Sequence, residues 1–97
     1  MVVITKTRIK SYTSKHPKAK DAFERWFKIA KERDWNNLSE VKKDFKTVDY
    51  VGNGLYVFDI MGGNYRLIVR IIFRARTIFI RFIGTHSEYD KVNLEDL

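Results

Sequence analysis

The chain has 97 residues, enough for one hydrophobic core, so we expect a single domain over residues 1–97. Its 19 lysines and arginines outnumber the 12 acidic residues, and the net charge of +7 favours a polyanionic partner such as RNA, DNA, an acidic membrane or an acidic protein. Without cysteine, disulfides and thiolate metal sites are excluded, and two histidines argue against a structural zinc, so we expect no cofactor and no metal.

The first third of the chain predicts a short strand followed by two helices. Val2-Val3-Ile4 is typical of an edge strand, and Ile9 and Tyr12 follow at a spacing that suits a helix. Pro17 suits the first turn of a second helix, where its missing N–H costs nothing. That helix has an aromatic stripe at helical spacing, which we expect to pack on a sheet: Phe23, Trp26, Phe27 and Ala30.

A third helical piece is predicted in the segment NNLSEVKKDF, with Asn37 or Ser39 as its N-cap. Its apolar residues would share one face and pack inwards. Three lysines would then be directed towards solvent or towards a ligand: Lys42, Lys43 and Lys46.

From Thr47 onward the hydrophobic pattern changes to an alternation of period two, which predicts strands. Short segments rich in glycine, asparagine or arginine separate these strands, and three close hairpins in a row predict an antiparallel meander. Helices first and a meander second indicate an α+β fold. The predicted strands are Asp49–Val51, Leu55–Ile60, Tyr65–Phe73 and Thr77–Ile83.

No stretch of the sequence has the length and hydrophobicity of a membrane span. The longest apolar stretches are shorter than a dozen residues and are interrupted by arginine. The first ten residues have no apolar core long enough for a secretion signal. We therefore expect a cytoplasmic protein with no membrane partner.

The predicted strand Tyr65–Phe73 has one apolar face for the helices and a second face that carries two arginines. Arg66 and Arg70 are four residues apart, or roughly 13 Å along a strand. A stripe of guanidinium groups suits phosphate, because the planar fork donates two hydrogen bonds and stays charged. The alternative is a solvated surface. In the last strand, alternation predicts Ile78, Ile80 and Phe82 on one face and Arg81 on the other.

The segment GTHSEYD follows the last predicted strand and brings together groups that can move protons. Cleavage of RNA without a metal needs a base, an acid and cations to hold the charge of the transition state. A histidine such as His86 can give or take a proton, Tyr89 can bond phosphate or stack on a base, and Arg66 and Arg70 supply charge. The alternatives are structural: His86 as a turn residue, Tyr89 as a core anchor, and Asp90 as the cap of a short helix or as a partner that orients His86.

Two longer motifs, GGNYRLIVRIIF and FIRFIGTHSEYDKV, resemble the HigB branch of the RelE-like toxins of bacterial toxin–antitoxin systems. The similarity covers the whole chain. It implies N-terminal helices packed on an antiparallel meander, and a ribosome-dependent, metal-independent mRNA endonuclease that inhibits translation and arrests growth. It also implies a cognate helix-turn-helix antitoxin of the HigA type.

The resemblance assigns roles to individual residues. Arg66 matches the strand arginine that stabilises phosphate, and His86 matches the acid–base position after the last strand. Tyr89 and Asp90 lie where the family places further active-site side chains. Near the segment that supplies catalytic or RNA-binding lysines in relatives lie Lys42, Lys43 and, as a rival, Lys46. The chain lacks the tyrosine-bearing C-terminal helix of RelE in recognisable form, which implies a different route for the protons.

Two competing hypotheses belong to other functional classes. A non-catalytic RNA-binding module needs only the basic sheet face and aromatic side chains such as Tyr65 and Phe79, and it would leave mRNA intact. An inactive relative that survives as a DNA-binding corepressor needs a helix-turn-helix, and the sequence has no clear one.

Overall fold

The computed structural model describes all 97 residues, with three helices packed on one face of a five-stranded sheet and a fourth helix after the last strand. The strands are β1 (Val2–Ile4), β2 (Asp49–Tyr50), β3 (Leu55–Ile60), β4 (Tyr65–Ile72) and β5 (Thr77–Thr85). The helices are α1 (Lys6–Lys15), α2 (Lys20–Glu32), α3 (Leu38–Asp44) and α4 (His86–Asp90).

The sheet has the order β1-β5-β4-β3-β2. Strands β2 to β5 pair with antiparallel neighbours, as the predicted meander requires, and β1 joins β5 in parallel at the edge. The α+β fold and the edge strand at the start of the chain are therefore confirmed. None of the helices has the length and apolar character needed to cross a membrane.

The larger hydrophobic core lies between α1, α2, α3 and one face of the sheet. Phe23 and Trp26 of α2 are 0% and 1% exposed, so the predicted stripe is confirmed. A fully buried side chain of this kind contributes about 1.5–3 kcal/mol of transfer free energy. Phe27 lies at the edge of the stripe and is only partly buried, with the Lys6 ammonium 4.8 Å from its ring centroid.

The helix boundaries follow local capping chemistry. A single 3₁₀ turn, Pro17–Ala19, precedes α2, so the proline starts this turn rather than the α-helix itself. Asn37 is the N-cap of α3, and its side-chain oxygen accepts a hydrogen bond from the Glu40 N–H at 3.1 Å. Of the two predicted caps, Asn37 is thus the correct one.

A smaller core covers the second face of the sheet. Its centre is Leu55, Val57 and Ile68, all at most 4% exposed. The residues that cover it come mainly from α4 and the segment after it: Val51, Phe82, Tyr89, Val92, Leu94 and Leu97. Arg66 and Arg70 do not form the predicted continuous stripe on this face, because the C-terminal segment folds over Ile68 between them and buries apolar surface there.

A β-bulge in β5 changes which side chains share a face. Ile68 pairs with Phe82, but its neighbour Val69 pairs with Ile80, so Arg81 is the extra residue. Ile80 consequently packs in the helix-side core and Phe82 in the smaller one. The prediction that these two residues share a face is wrong, since strict alternation cannot foresee an inserted residue.

The bounds of β1 and β3 are as predicted, whereas β2, β4 and β5 end one or two residues away from the predicted positions. β5 continues through Gly84 to Thr85, because Tyr65 and Arg66 still pair with it there. β4 stops at Ile72, where a 3₁₀ turn begins. Arg76 follows that turn and adopts a left-handed backbone conformation with a φ of +54°, which is uncommon for a residue other than glycine.

We expect Phe23→Ala to lower the free energy of unfolding by about 3–5 kcal/mol, because it leaves a cavity in the larger core. Phe27→Ala is the matched control, since it makes the same change on the same helix at a partly exposed site. Urea unfolding of both variants measures the difference. Equal losses would contradict the assignment of Phe23 to the core centre.

Candidate active site

The segment GTHSEYD forms the end of a strand, a helix cap and a short helix. Thr85 ends β5 and caps α4 with a reciprocal pair of hydrogen bonds: the Glu88 N–H donates to the Thr85 hydroxyl at 3.2 Å, and the Thr85 N–H donates to the Glu88 carboxylate at 2.8 Å. Asp90 lies at the other end of α4. The next short helix, Leu94–Asp96, has Asn93 as its N-cap, so the alternative in which Asp90 caps a helix is wrong.

A cleft of about 380 Å³ opens between β2, β3, β4 and α4 on the second face of the sheet. This volume is in the lower part of the range of small-molecule sites. Arg66 and Tyr89, two of the predicted catalytic residues, line it together with Lys46. The remaining lining residues are Thr47, Val48, Asp49, Val57 and Asp59.

The Arg66 guanidinium is held on several sides. Its Nε lies 3.1 Å from Asp59 Oδ1 in an ion pair, its Nη1 donates to the Gly63 carbonyl, and its central carbon lies 5.6 Å from the centroid of the Tyr89 ring. The side chain is only 15% exposed. A cation held this way over an aromatic ring is suited to bind an anion without first losing conformational freedom.

His86 lies beside the cleft rather than in its wall. Its backbone N–H donates to the Asn64 carbonyl at 3.0 Å, which ties the start of α4 to the start of β4. His86 and Tyr89 are three residues apart and so are neighbours on one side of the helix. The His86 Nδ1 lies 3.2 Å from Asp90 Oδ2, and both side chains are more than half exposed, at 56% and 60%.

The predicted RNA-binding cations are separated by the structure. Lys46 lines the cleft, whereas Lys42 and Lys43 are exposed on α3 outside it. The Arg70 guanidinium donates to the Asn53 carbonyl and, at 3.2 Å, to the Leu97 main-chain oxygen. Arg70 therefore joins the β2–β3 turn to the C-terminal segment.

The sequence interpretation missed the carboxylates of the cleft. Asp59 lies directly opposite Arg66 across β3 and β4, and Asp49 lies opposite Val57 across β2 and β3. The hairpin register could have located Asp59, because a tight turn after Ile60 places it opposite Arg66. No group of three or more side chains in the protein has the arrangement of a metal site.

The opposite side of α4 contacts α1 through Glu88. The hydrogen bond from the Thr85 N–H lowers the pKa of the Glu88 carboxyl. Partial burial opposes this effect, and the Thr85 side chain, His16 and Tyr12 add smaller contributions that lower the pKa. Burial, followed by the charge of Glu88, raises the pKa of Tyr12 to about 12. The Tyr12 ring stacks on His16 with centroids 4.0 Å apart. Glu88 of α4 lies close to this aromatic pair.

Two comparisons with known proteins identify the family. Residues 19–92 match the family model of the HigB toxin, described as the RelE-like toxic component of a toxin–antitoxin system. The chain is also 31% identical over 94 residues to mRNA interferase HigB from Escherichia coli strain CFT073, a match that covers 95% of this chain and 91% of the relative.

The chain belongs to the HigB toxin family. The predicted resemblance is confirmed, and the matched region contains every residue of the cleft together with α4. It begins after α1, so Tyr12 and His16 lie outside the part that the HigB family model covers. The structure therefore shows α4 close to an aromatic pair that the family model does not cover.

We expect Glu88→Gln to lower the stability of this HigB-family protein at neutral pH by less than about 1 kcal/mol, because the charged cap is exposed to solvent. The Glu88 pKa is lowered in the folded state, so its contribution exists above the unfolded pKa and disappears as the pH falls through the folded pKa. Urea unfolding at pH 7 and at about pH 3 should show the difference from wild type closing. Glu95→Gln is the control, and a difference that persists at low pH would contradict the assignment.

Proposed function

We propose that the protein is the toxin of a toxin–antitoxin pair and that it is an endoribonuclease which cleaves mRNA on the ribosome. Membership of the HigB family and the name of the relative, an mRNA interferase, support this function. The observation that carries it is the cleft in which Arg66, Tyr89 and Lys46 meet, one helical turn from His86. These are the chemical groups that metal-independent RNA cleavage requires.

In the proposed reaction the ribose 2′-OH attacks the adjacent phosphorus. The 2′ oxygen loses its proton, the bond to the 5′ oxygen breaks, and that oxygen takes up a proton. The products are a 2′,3′-cyclic phosphate and a free 5′-hydroxyl. Negative charge grows on the phosphate oxygens in the transition state, so fixed cations beside them lower the barrier.

His86 is the proposed general acid or base. In the neutral ring, a proton on Nδ1 would lie beside Asp90 Oδ2, 3.2 Å away, and would leave the lone pair of Nε2 free to accept a proton. Once protonated, the same Nε2 becomes the donor. Asp90 thus orients the imidazole and stabilises its charged form, as carboxylates do in other histidine-containing sites.

Arg66 and Lys46 are the proposed charge-stabilising cations. Lys46 and the guanidinium reach the same cleft from different elements. Because the Arg66 guanidinium lies over the Tyr89 ring, we assign to Tyr89 a hydrogen bond from its hydroxyl to phosphate rather than stacking on a base. Lys42 and Lys43 would bind phosphates further along the RNA. Arg70, already bonded to main-chain oxygens, would support the sheet.

Dependence on the ribosome is consistent with the openness of the site. His86 is more than half exposed, and few side chains surround the cleft. Such a site cannot by itself hold a flexible RNA strand in the geometry for attack, and orientation accounts for much of the rate of such reactions. We propose that the ribosome presents the mRNA in the required conformation.

We also propose that the cognate antitoxin is a helix-turn-helix protein of the HigA type and that both proteins meet in the cytoplasm, where mRNA is translated. The toxin–antitoxin description of the family supports the existence of an antitoxin. An antitoxin that covers the cleft would block access of phosphate to Arg66 and Lys46. The alternative function, RNA binding without cleavage, uses the same cations and differs only in leaving the transcript intact.

His86→Gln should reduce mRNA cleavage about 100-fold or more, because it removes the group that transfers the proton. Ser87→Ala, at the next position of α4, is the matched control and should retain activity. Primer extension on transcripts from cells that express each variant detects the cuts, and growth curves measure toxicity. A His86→Gln variant that cuts like the parent would refute the assigned role, and intact mRNA in the parent would favour RNA binding alone.

Lys46→Ala should weaken cleavage more than Lys42→Ala or Lys43→Ala, since only Lys46 lines the cleft. We expect a loss of about tenfold or more for Lys46 and a few-fold for either of the others, because exposed phosphate contacts are individually weak. Rates measured on programmed ribosomes at several salt concentrations compare the three. Equal losses would place the substrate phosphate outside the cleft.

A further inference from the structure

We propose that Asp59 is a positioning residue: through its ion pair, and together with the Gly63 carbonyl, it holds the Arg66 guanidinium in place so that Nη2 binds the substrate phosphate. This inference rests on the proposed RNA cleavage, in which Arg66 stabilises the transition state. It adds a residue that was not among the predicted site residues.

The first contact is set by the sheet. Asp59 on β3 and Arg66 on β4 are directly opposite each other, and side chains at such positions on one face are close neighbours. The Arg66 Nε lies 3.1 Å from Asp59 Oδ1. The pair is partly shielded from water, with the Arg66 side chain 15% and the Asp59 side chain 35% exposed. The ion pair is therefore built into the strand pairing.

The second contact is set by the turn between these strands. Met61, Gly62 and Gly63 all have positive φ, which curls the chain back towards Arg66. The Gly63 carbonyl accepts from Nη1, and the Tyr65 carbonyl accepts a second, longer bond from it at 3.4 Å. A Cβ atom at Gly63 would lie 3.3 Å from Nη1, so a side chain there would press on the guanidinium.

These contacts involve two of the three guanidinium nitrogens. Nε lies 3.1 Å from Asp59 Oδ1 in the ion pair and Nη1 donates to the two carbonyls, while Nη2 has no hydrogen bond to the protein. The Tyr89 ring limits movement from one side. A preorganised donor of this kind needs no rearrangement when charge develops on the phosphate, which favours the transition state.

The negative charge of Asp59 also weakens substrate binding. Its carboxylate lies in the same cleft as the incoming phosphate, and like charges repel. A residue that positions Arg66 and repels phosphate has a distinctive kinetic signature. Its removal should lower the rate at saturation without weakening binding of the ribosome–mRNA complex, and binding should tighten slightly.

The test measures single-turnover cleavage on programmed ribosomes for Asp59→Ala and Asp59→Asn. We expect Asp59→Ala to lower the cleavage rate at saturation about 10- to 100-fold, as loss of a supporting contact does in other sites. The concentration of the ribosome–mRNA complex that gives half of the saturating rate should stay the same or fall. Asp59→Asn keeps an acceptor oxygen and should retain more activity than alanine. Asp49→Asn removes a charge from the same cleft without touching Arg66, so it reports the effect of charge alone.

A double-mutant cycle separates positioning from direct acid–base chemistry. If Asp59 acts only through Arg66, then Asp59→Ala has no further effect in an Arg66→Ala background. Losses that multiply in the double variant would overturn the proposal. The same conclusion would follow if the saturating rate of Asp59→Ala equalled that of wild type, or if Asp59→Ala and Asp49→Asn had the same kinetics.

The Nε–Hε signal of Arg66 in a nitrogen–proton NMR spectrum provides a readout that does not depend on cleavage. We expect a resolved signal with slow solvent exchange in wild type, and a broadened or fast-exchanging one in Asp59→Ala. An unchanged signal would overturn the proposal. A different conclusion would follow if Arg66→Ala cleaved mRNA as fast as wild type while Asp59→Ala still showed the expected NMR change. That result would refute the proposed role of Arg66 in the reaction and leave the positioning geometry intact.

Discussion

The register of β4 between its two neighbours is the constraint on which the candidate site depends. Arg66 lies opposite Asp59 on one side and opposite Gly84 on the other. The first pairing supplies a carboxylate, and the second leaves space, because a Cβ atom at Gly84 would come within 2.5 Å of the Phe82 ring and 3.1 Å of Glu88 Cβ. That space lets α4 turn back beside β4. A slip of one residue would move Arg66 into the helix-side core.

Much of the fold could be predicted from the sequence because its main signals are local. The stripe on α2 and the glycine turns of the meander depend on residues within a few positions of one another. The bulge at Arg81 could not be predicted, since both registers place apolar residues on both faces and only the paired strand decides between them. The covering of Ile68 was missed for a similar reason. It depends on Leu97 and other residues far along the chain, whose individual pattern is weak.

The structure brings some of the predicted site residues together and separates others, and their catalytic roles stay a prediction. Arg66 and Tyr89 share a cleft, in line with the expectation that they act together. Among three neighbouring lysines, however, only Lys46 lies in the cleft, because it follows α3 rather than standing on its exposed side. Arg70 has the same spacing on the strand as a phosphate-binding arginine would, yet its partners are carbonyl groups of distant loops that no local pattern reveals.

The residues that line the cleft are far apart in the chain, from Lys46 to Tyr89. Arg66 is synthesised before β5 and α4, and a chain that ends before His86 has neither the imidazole nor the Tyr89 ring. Contacts between such remote segments form late in folding. In the proposed function, the site is therefore complete only once the C-terminal segment has been synthesised and has folded onto the sheet.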